Sequence, residues 1–328
     1  MKYFEHFNAA SVDEAIALLK RFNGTGKLNA GGTDLLGTLK GDILPAYPEA
    51  VINIKTIPGL DFIEEDRNGL KIGALTKLVD IVESPVIQKS FQVLADAAKS
   101  VASPEIRNMG TIGGNLCQES RCWYFRYPHT MGGRIHCFRK GGKSCPAVKG
   151  DNRYHSVFGG KKCFAVCPSD MAVALAAQDA IVTIAGPDGE KTLPLTALYH
   201  PLGCVLTGNE LITEIQIPGT FRHAAQKFIK FRVRESVDFA IASVATTMTM
   251  TGETCRDVRI ILGAVAPAPY RASAAEDALK GKRLTPDTVQ AAAEAAVTHA
   301  RPLSRNAYKV EIIKALVKRA INEIADSN

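Results

Sequence analysis

The sequence predicts an α+β fold in more than one compact unit, and three observations carry that expectation. The chain has 328 residues, more than one small core accommodates. Before Pro218, short strands alternate with helical stretches and glycine turns; after it, long strands are followed by helical segments, the order of a separate α+β unit. Residues 118–168 fit neither period, which marks a large insertion organised by something other than an apolar core.

Composition is that of an ordinary globular chain, with 46% hydrophobic and 22% charged residues. No run of about 18 uninterrupted apolar residues is present. The N-terminus lacks the basic start, apolar run and small-residue site of a signal peptide. The chain is therefore expected in the cytoplasm, or in the periplasm only if exported with a signal-bearing partner. The formal charge is +7. Lys and Arg read as spread along the chain and interleaved with Asp and Glu. That favours a solvated basic surface, or a docking face for an acidic partner, over a nucleic-acid site.

Element by element, Ser11 and Glu14 form a capping box, and Val12, Ala15, Ile16 and Leu19 give the helical stripe that follows. Residues 28–36 read as a strand end, a glycine turn and the opening of a helix. Strands are expected over 50–54 and 70–75, a helix over 91–100, and a second strand end with a glycine pair over 111–116. After the insertion come a helix over 171–177, a hairpin around Pro187-Asp188-Gly189 and a strand over 210–218. The C-terminal unit has strands over 227–233, 240–250 and 258–266. Its helices run over 273–279, 287–300 and 306–325, with Thr285-Pro286 as N-cap and first-turn residue.

Two motifs carry chemistry. Ala30-Gly31-Gly32-Thr33-Asp34 and Thr111-Ile112-Gly113-Gly114-Asn115 each let backbone approach a ligand closely and turn N–H groups into one concavity, which suits pyrophosphate oxygens. Neither fits the Rossmann or P-loop pattern. The second motif is cysteine. Cys117, Cys122, Cys137, Cys145, Cys163 and Cys167 fall in one stretch, with only Cys204 and Cys255 outside it. In a reducing compartment such clustering points to metal rather than disulfides. Four thiolates at these long spacings leave a [4Fe–4S] cluster and a structural zinc equally open. Cys117 is expected to be a packed thiol, and Cys204 and Cys255 small buried hydrophobes.

AGGTDLL, IRNMGTIGGNLC and PSDMAVAL, in this order, resemble the FAD-binding medium subunits of the molybdenum hydroxylases, over essentially the whole chain. The resemblance implies a two-part FAD-binding domain of the PCMH/vanillyl-alcohol-oxidase type over 1–220, with subdomains of about 1–57 and 58–220. A C-terminal CO dehydrogenase flavoprotein-like domain over 221–328 completes the chain. It implies FAD held by Leu28, Asn29, Ala30, Gly31, Gly32, Thr33, Asp34 and Leu35 on one side and by Thr111, Gly113, Gly114 and Asn115 on the other. Val101, Asp170, Ile212 and Lys230 are further contacts. The insertion resembles that of a subset like the 4-hydroxybenzoyl-CoA reductase β subunit, and so implies a [4Fe–4S] cluster on Cys122, Cys137, Cys145 and Cys163, without Cys167. No catalytic acid, base or nucleophile is implied. The implied partners are a molybdenum-cofactor large subunit, a [2Fe–2S] small subunit and an external electron acceptor or donor. A stand-alone flavin oxidoreductase and a zinc-stabilised assembly module are the competing readings.

Overall fold

The structure, a computed structural model, describes residues 1–326; the last two residues of the expected 221–328 domain lie outside them. β1 (Glu5–Asn8), β2 (Gly26–Asn29) and β3 (Ala50–Asn53) form a parallel sheet in the order β1-β3-β2. Parallel strands need a crossover, and helix Val12–Arg21 supplies it, burying Ala15, Ile16 and Leu19. Ser11 Oγ accepts from Glu14 N at 3.1 Å, and Glu14 reaches back to accept from Ala10 N at 2.7 Å.

The chain continues through β4 (Ile63–Asp66), β5 (Gly69–Gly73), β6 (Ile181–Gly186), β7 (Gly189–Pro194), the short pair β8 (Tyr199–His200) and β9 (Gly203–Cys204), and β10 (Leu211–Pro218). Five of these make an antiparallel sheet in the order β4-β5-β10-β6-β7. Helices Leu78–Glu83, Pro85–Ser90, Gln92–Ser100 and Asp170–Ala176 share a core with it, through Ile81, Ile87, Phe91, Leu94 and Leu175 against Ile72 and Ile215.

β11 (Ala225–Phe231), β12 (Ala242–Thr251), β13 (Thr254–Gly263) and β14 (Tyr270–Arg271) form the third sheet. Successive side chains on a strand point to opposite faces, and here each face has its own core. Val244, Ile260 and Leu262 pack with helices Ser273–Leu279, Pro286–Ala295 and Tyr308–Ala325. Phe228, Ala245 and Ile261 pack with the core of the second sheet. The C-terminal unit is thus fastened to the rest by the back face of its sheet.

Three expectations need correction. The Gly113-Gly114 pair lies inside a short helix, Ile112–Leu116, rather than past a strand end. Two glycines disfavour a helix, but the Thr111 side chain accepts from Gly114 N at 3.1 Å and caps it. Two helices over 78–90 and strand β1 were not anticipated, because each spans too few residues to show a period. The helix expected over 287–300 ends at Ala295.

The insertion contains helix Trp123–Arg126 and three short 3-10 turns, with no strand among the described residues. It is held from the C-terminal unit by buried polar side chains. Asn152 Oδ1 accepts from Arg305 N at 2.9 Å, and Asn306 Nδ2 donates to His155 O at 3.0 Å and Ser156 O at 3.1 Å. Lys309 Nζ donates to Tyr154 O at 3.1 Å and Ala264 O at 2.8 Å. Asn152, Asn306 and Lys309 are all fully buried. Removing one partner of a buried hydrogen bond costs about 1–3 kcal/mol for each group left unpaired. Asn306→Ala is therefore expected to lower the thermal midpoint by several degrees and to expose residues 150–165 to limited proteolysis before any other segment. An unchanged midpoint and cleavage pattern would refute this anchoring.

Candidate functional site

A cavity of about 610 Å³ opens where the first two sheets meet the third sheet and the start of the insertion. Cofactor pockets are commonly of this size. Its first wall is the turn after β2. A Cβ on Gly31 would stand 2.0 Å from Met109 O and 2.9 Å from Gly110 Cα, so the two glycine motifs touch backbone to backbone. Gly32 has a φ of +71°, in the left-handed region that favours glycine. The Asn29 side-chain oxygen is buried here without a hydrogen-bond partner, an acceptor that a bound group would satisfy.

The second wall is helix Ile112–Leu116. Asn115 Oδ1 accepts from Ser169 Oγ at 2.6 Å, and Ser169 in turn caps the next helix by accepting from Ala172 N at 3.0 Å. Beside it lies a buried ion pair: Lys230 Nζ donates to Asp170 Oδ2 at 2.7 Å and to Ser100 O at 3.1 Å. Burial raises the Asp170 carboxyl above its ordinary value, and Lys230 opposes that shift. Every residue expected to contact the flavin lines this one cavity: Leu28 through Leu35, Val101, Thr111, Gly113, Gly114, Asn115, Asp170, Ile212 and Lys230.

Asp34 ties this cavity to the insertion. Its carboxylate accepts from Glu119 N at 2.8 Å, from Arg126 at 2.6 Å and from Arg121 at 2.8 Å. Burial lowers the Arg121 guanidinium to about 10, and Asp34 resists that shift. The Arg121 side chain also lies over the Phe239 ring at 4.5 Å.

A second, small cavity lies in the insertion, and Cys122, Cys137, Cys145 and Cys163 all line it. Cys167 lines the large cavity instead. No group of three or more His, Cys, Asp or Glu among the described residues is gathered so as to hold a metal ion. Cys122 Sγ lies 3.2 Å from His155 Nε2, and Arg139 Nε donates to Cys163 Sγ at 3.4 Å. Burial pushes the Cys122 thiol up to about 11 and raises Cys137. Burial also brings His155 down to about 4. Lys140 is buried with its ammonium lacking a hydrogen-bond partner. Burial lowers it, and Cys137 opposes that shift.

Sequence reasoning missed Arg139, Lys140 and His155. The available signal was charge. Residues 118–168 carry ten Lys and Arg against two Asp and Glu, a surplus of eight that exceeds the +7 of the whole chain. The expectation of evenly spread charge is corrected accordingly. Two thiols also depart from expectation: Cys117 is exposed, since neighbouring Leu116 takes the core position, and Cys204 is half-buried against that core; both line the wall of the large cavity.

Comparisons with known proteins agree with this geometry. The family model for the FAD binding domain in molybdopterin dehydrogenase matches residues 2–220, and that for the CO dehydrogenase flavoprotein C-terminal domain matches 227–324. The chain is 32% identical to the carbon monoxide dehydrogenase medium chain of Hydrogenophaga pseudoflava, over 97% of this chain and 96% of that one. It is 33% identical to the aldehyde oxidoreductase FAD-binding subunit of Escherichia coli, over 98% of each. Among solved structures, a carbon monoxide dehydrogenase from Hydrogenophaga pseudoflava that lacks the Mo-pyranopterin moiety superposes with a TM-score of 0.78 at 32% identity. That match covers 98% of this chain and 96% of the other. The chain belongs to the FAD-binding subunits of the molybdenum-hydroxylase-type oxidoreductases, and its fold is the two-domain α+β fold of that family.

Proposed function

We propose that this chain is the FAD- and [4Fe–4S]-binding electron-transfer subunit of a molybdenum-dependent oxidoreductase acting on an aldehyde, a purine or an aromatic acyl-CoA. It works with a large subunit that holds the molybdenum cofactor and a small subunit that holds [2Fe–2S] clusters, and it exchanges electrons with an external acceptor or donor. The compartment proposed is the cytoplasm. No helix among the described residues is long and apolar enough to cross a membrane. The observation that carries the reading is the pair of adjacent cavities, one walled by two glycine motifs and one walled by four cysteines, with Arg139 lining both.

FAD supplies the redox chemistry when bound. The chain's own residues grip and orient it. The Ala30–Asp34 turn lines the cavity, and the glycines there leave room for phosphate oxygens to approach backbone N–H groups. Val101 and Ile212 supply apolar surface. Lys230 stays against Asp170 and Ser100 O, so its positive charge is fixed rather than mobile. The domain division proposed is 1–220 with the insertion at about 118–168, followed by 221–328.

Three features support a cluster on Cys122, Cys137, Cys145 and Cys163. All four thiols face one enclosed space. The cations around the thiols, Arg139, Lys140 and Lys162, suit an anionic group more than four neutral thiols. His155, buried and neutral, offers a ring nitrogen to the Cys122 sulfur. No step beyond these contacts is assigned to the cluster.

The flavin site is tested by a pair of substitutions. In Gly31→Ala the new Cβ meets Met109 O and forces the motifs apart, so the purified protein is expected to fold but to carry less than about a tenth of the wild-type flavin, a loss of roughly 1.4 kcal/mol or more. In Gly37→Ala, a residue that does not itself line the cavity, the Cβ meets nothing within 4 Å. That variant is expected to keep its flavin and gain up to about 1 kcal/mol of stability. Full flavin content in Gly31→Ala would remove FAD from this cavity.

For the insertion, Ser in place of any one of Cys122, Cys137, Cys145 or Cys163 is expected to strip or degrade the cluster and loosen residues 118–168, because metal binding supplies folding free energy. Cys167→Ser and Cys255→Ser are expected to keep it. Anaerobic purification with metal analysis decides the identity. About four irons per chain fit a [4Fe–4S] centre, while one zinc and no iron would leave a zinc-stabilised insertion in its place. Copurification from the native source is expected to bring a large molybdenum protein and a [2Fe–2S] protein; a chain that turns over substrate alone would sink the subunit reading.

A further inference from the structure

Three thiols lie outside the four-cysteine cavity and open on the large one: Cys117, Cys167 and Cys204. Cys167 is buried, and burial pushes its thiol up to about 12. The other two differ. Cys117 is exposed at the C-terminal end of helix Ile112–Leu116, and Cys204 is half-buried in β9. A hydrogen bond joins their two elements. Tyr199, the residue paired with Cys204 in the β8–β9 hairpin, donates its hydroxyl to Leu116 O at 3.0 Å. The strand that carries Cys204 is therefore held against the residue that precedes Cys117.

The two sulfurs sense each other. Their mutual hydrogen bond holds the proton on Cys117, raising it well above the ordinary thiol value, and lowers Cys204 below it. A thiol with enhanced thiolate character, open to a cavity and beside a second thiol, is the arrangement of a nucleophilic cysteine with its resolving partner. Neither residue belongs to the four-cysteine cavity. In a reducing compartment a disulfide of this kind is transient and redox-sensing rather than structural.

We propose that Cys117 and Cys204 are a reversible redox pair, which a peroxide oxidises to a disulfide that fastens the β8–β9 hairpin to the second glycine wall of the large cavity. The chemistry balances. The Cys204 thiolate attacks one peroxide oxygen, the O–O bond breaks, and the leaving hydroxide takes a proton to become water. The sulfenic acid formed on Cys204 is then attacked by the Cys117 sulfur. The S–O bond breaks, the S–S bond forms, and the second water carries away the Cys117 proton. Two thiols and one hydrogen peroxide give one disulfide and two waters, with each sulfur losing one electron. An external thiol reverses the bond by exchange.

The consequence for the cavity rests on the reading that FAD occupies it. Leu202, Gly203 and Cys204 lie on its rim. A covalent bond from the hairpin to helix Ile112–Leu116 fixes that rim, so the oxidised protein should release its flavin more slowly than the reduced one.

The test uses the full, flavin-loaded chain, treated with equimolar hydrogen peroxide, quenched with an alkylating reagent and mapped by mass spectrometry. The expected product is one peptide pair linked through Cys117 and Cys204, lost on reduction with dithiothreitol and absent from Cys117→Ser and Cys204→Ser. Flavin release after dilution should slow several-fold in the oxidised wild type and be unchanged by peroxide in either variant. Cys117→Ala and Cys204→Ala repeat the test should a serine variant fail to fold. Overoxidation of Cys204 with Cys117 still free, or a bond from either residue to Cys167, would overturn the pairing. A disulfide that leaves flavin release unchanged would overturn the fastening of the rim. A chain that forms the bond but never held flavin would instead refute the cavity assignment and leave the pair standing.

Discussion

The architecture turns on a backbone-to-backbone contact. At Gly31 the turn after β2 lies so close to the Met109 carbonyl that no side chain fits between them. This contact brings the parallel sheet of the N-terminal residues against the antiparallel sheet that follows, and the space left beside it is the large cavity. The second motif makes a similar approach, since a Cβ on Gly113 would stand 2.9 Å from Ala74 O. Glycine at both positions serves proximity, whereas at Gly32 it serves a left-handed turn. The cavity is therefore a consequence of packing main chain on main chain at the glycine motifs, with side chains such as Arg121, Arg139 and Lys230 completing its walls.

Asp34 converts that local contact into a longer-range one. It is the N-cap residue of helix Leu35–Gly41, yet its side chain makes no capping bond. The carboxylate instead takes the Glu119 amide and the guanidinium groups of Arg121 and Arg126. Charge-assisted bonds to a half-buried carboxylate are stronger than neutral ones. The start of the insertion is thereby clamped to the first glycine turn. Its end is clamped elsewhere, by Val157 N on Val265 O and by the buried Asn152, Asn306 and Lys309. A segment with little apolar periodicity is ordered from both ends by polar contacts to two different units.

What was legible in the sequence follows the length scale of each signal. The long C-terminal strands and helices show their period plainly, and helix Ser273–Leu279 begins and ends where the pattern says. The Ser11 cap and the Thr285-Pro286 start are visible because capping depends on residues a turn apart. The glycine motifs marked the cavity because close approach leaves no other residue type. Helices of six residues such as Leu78–Glu83 are too short to show a period and are held by tertiary packing. The cations around the four cysteines were hidden for another reason: Arg139, Lys140 and His155 meet the thiols only after the insertion folds. Their total charge was readable, their convergence was not.

That convergence has an electrostatic logic. An ammonium such as Lys140, buried and without a hydrogen-bond partner, carries a desolvation cost that something nearby must offset. Neutral thiols do so poorly, and burial alone keeps Cys122 protonated up to about 11. Thiolates bound to iron are anionic at every ordinary pH, because metal coordination removes the thiol proton outright. With the proposed cluster bound, the metal would ionise the thiols, the thiolates would offset the charge of Lys140 and Arg139, and those cations would limit the repulsion among four anionic sulfurs in a low-dielectric site. Arg139 also lines the large cavity, and its guanidinium lies 3.0 Å from where a Cβ on Gly203 would stand. Gly203 has a φ of +128°, in the left-handed region that favours glycine, and Arg139 faces both cavities, where two anionic groups, a pyrophosphate and a thiolate cluster, are proposed to sit.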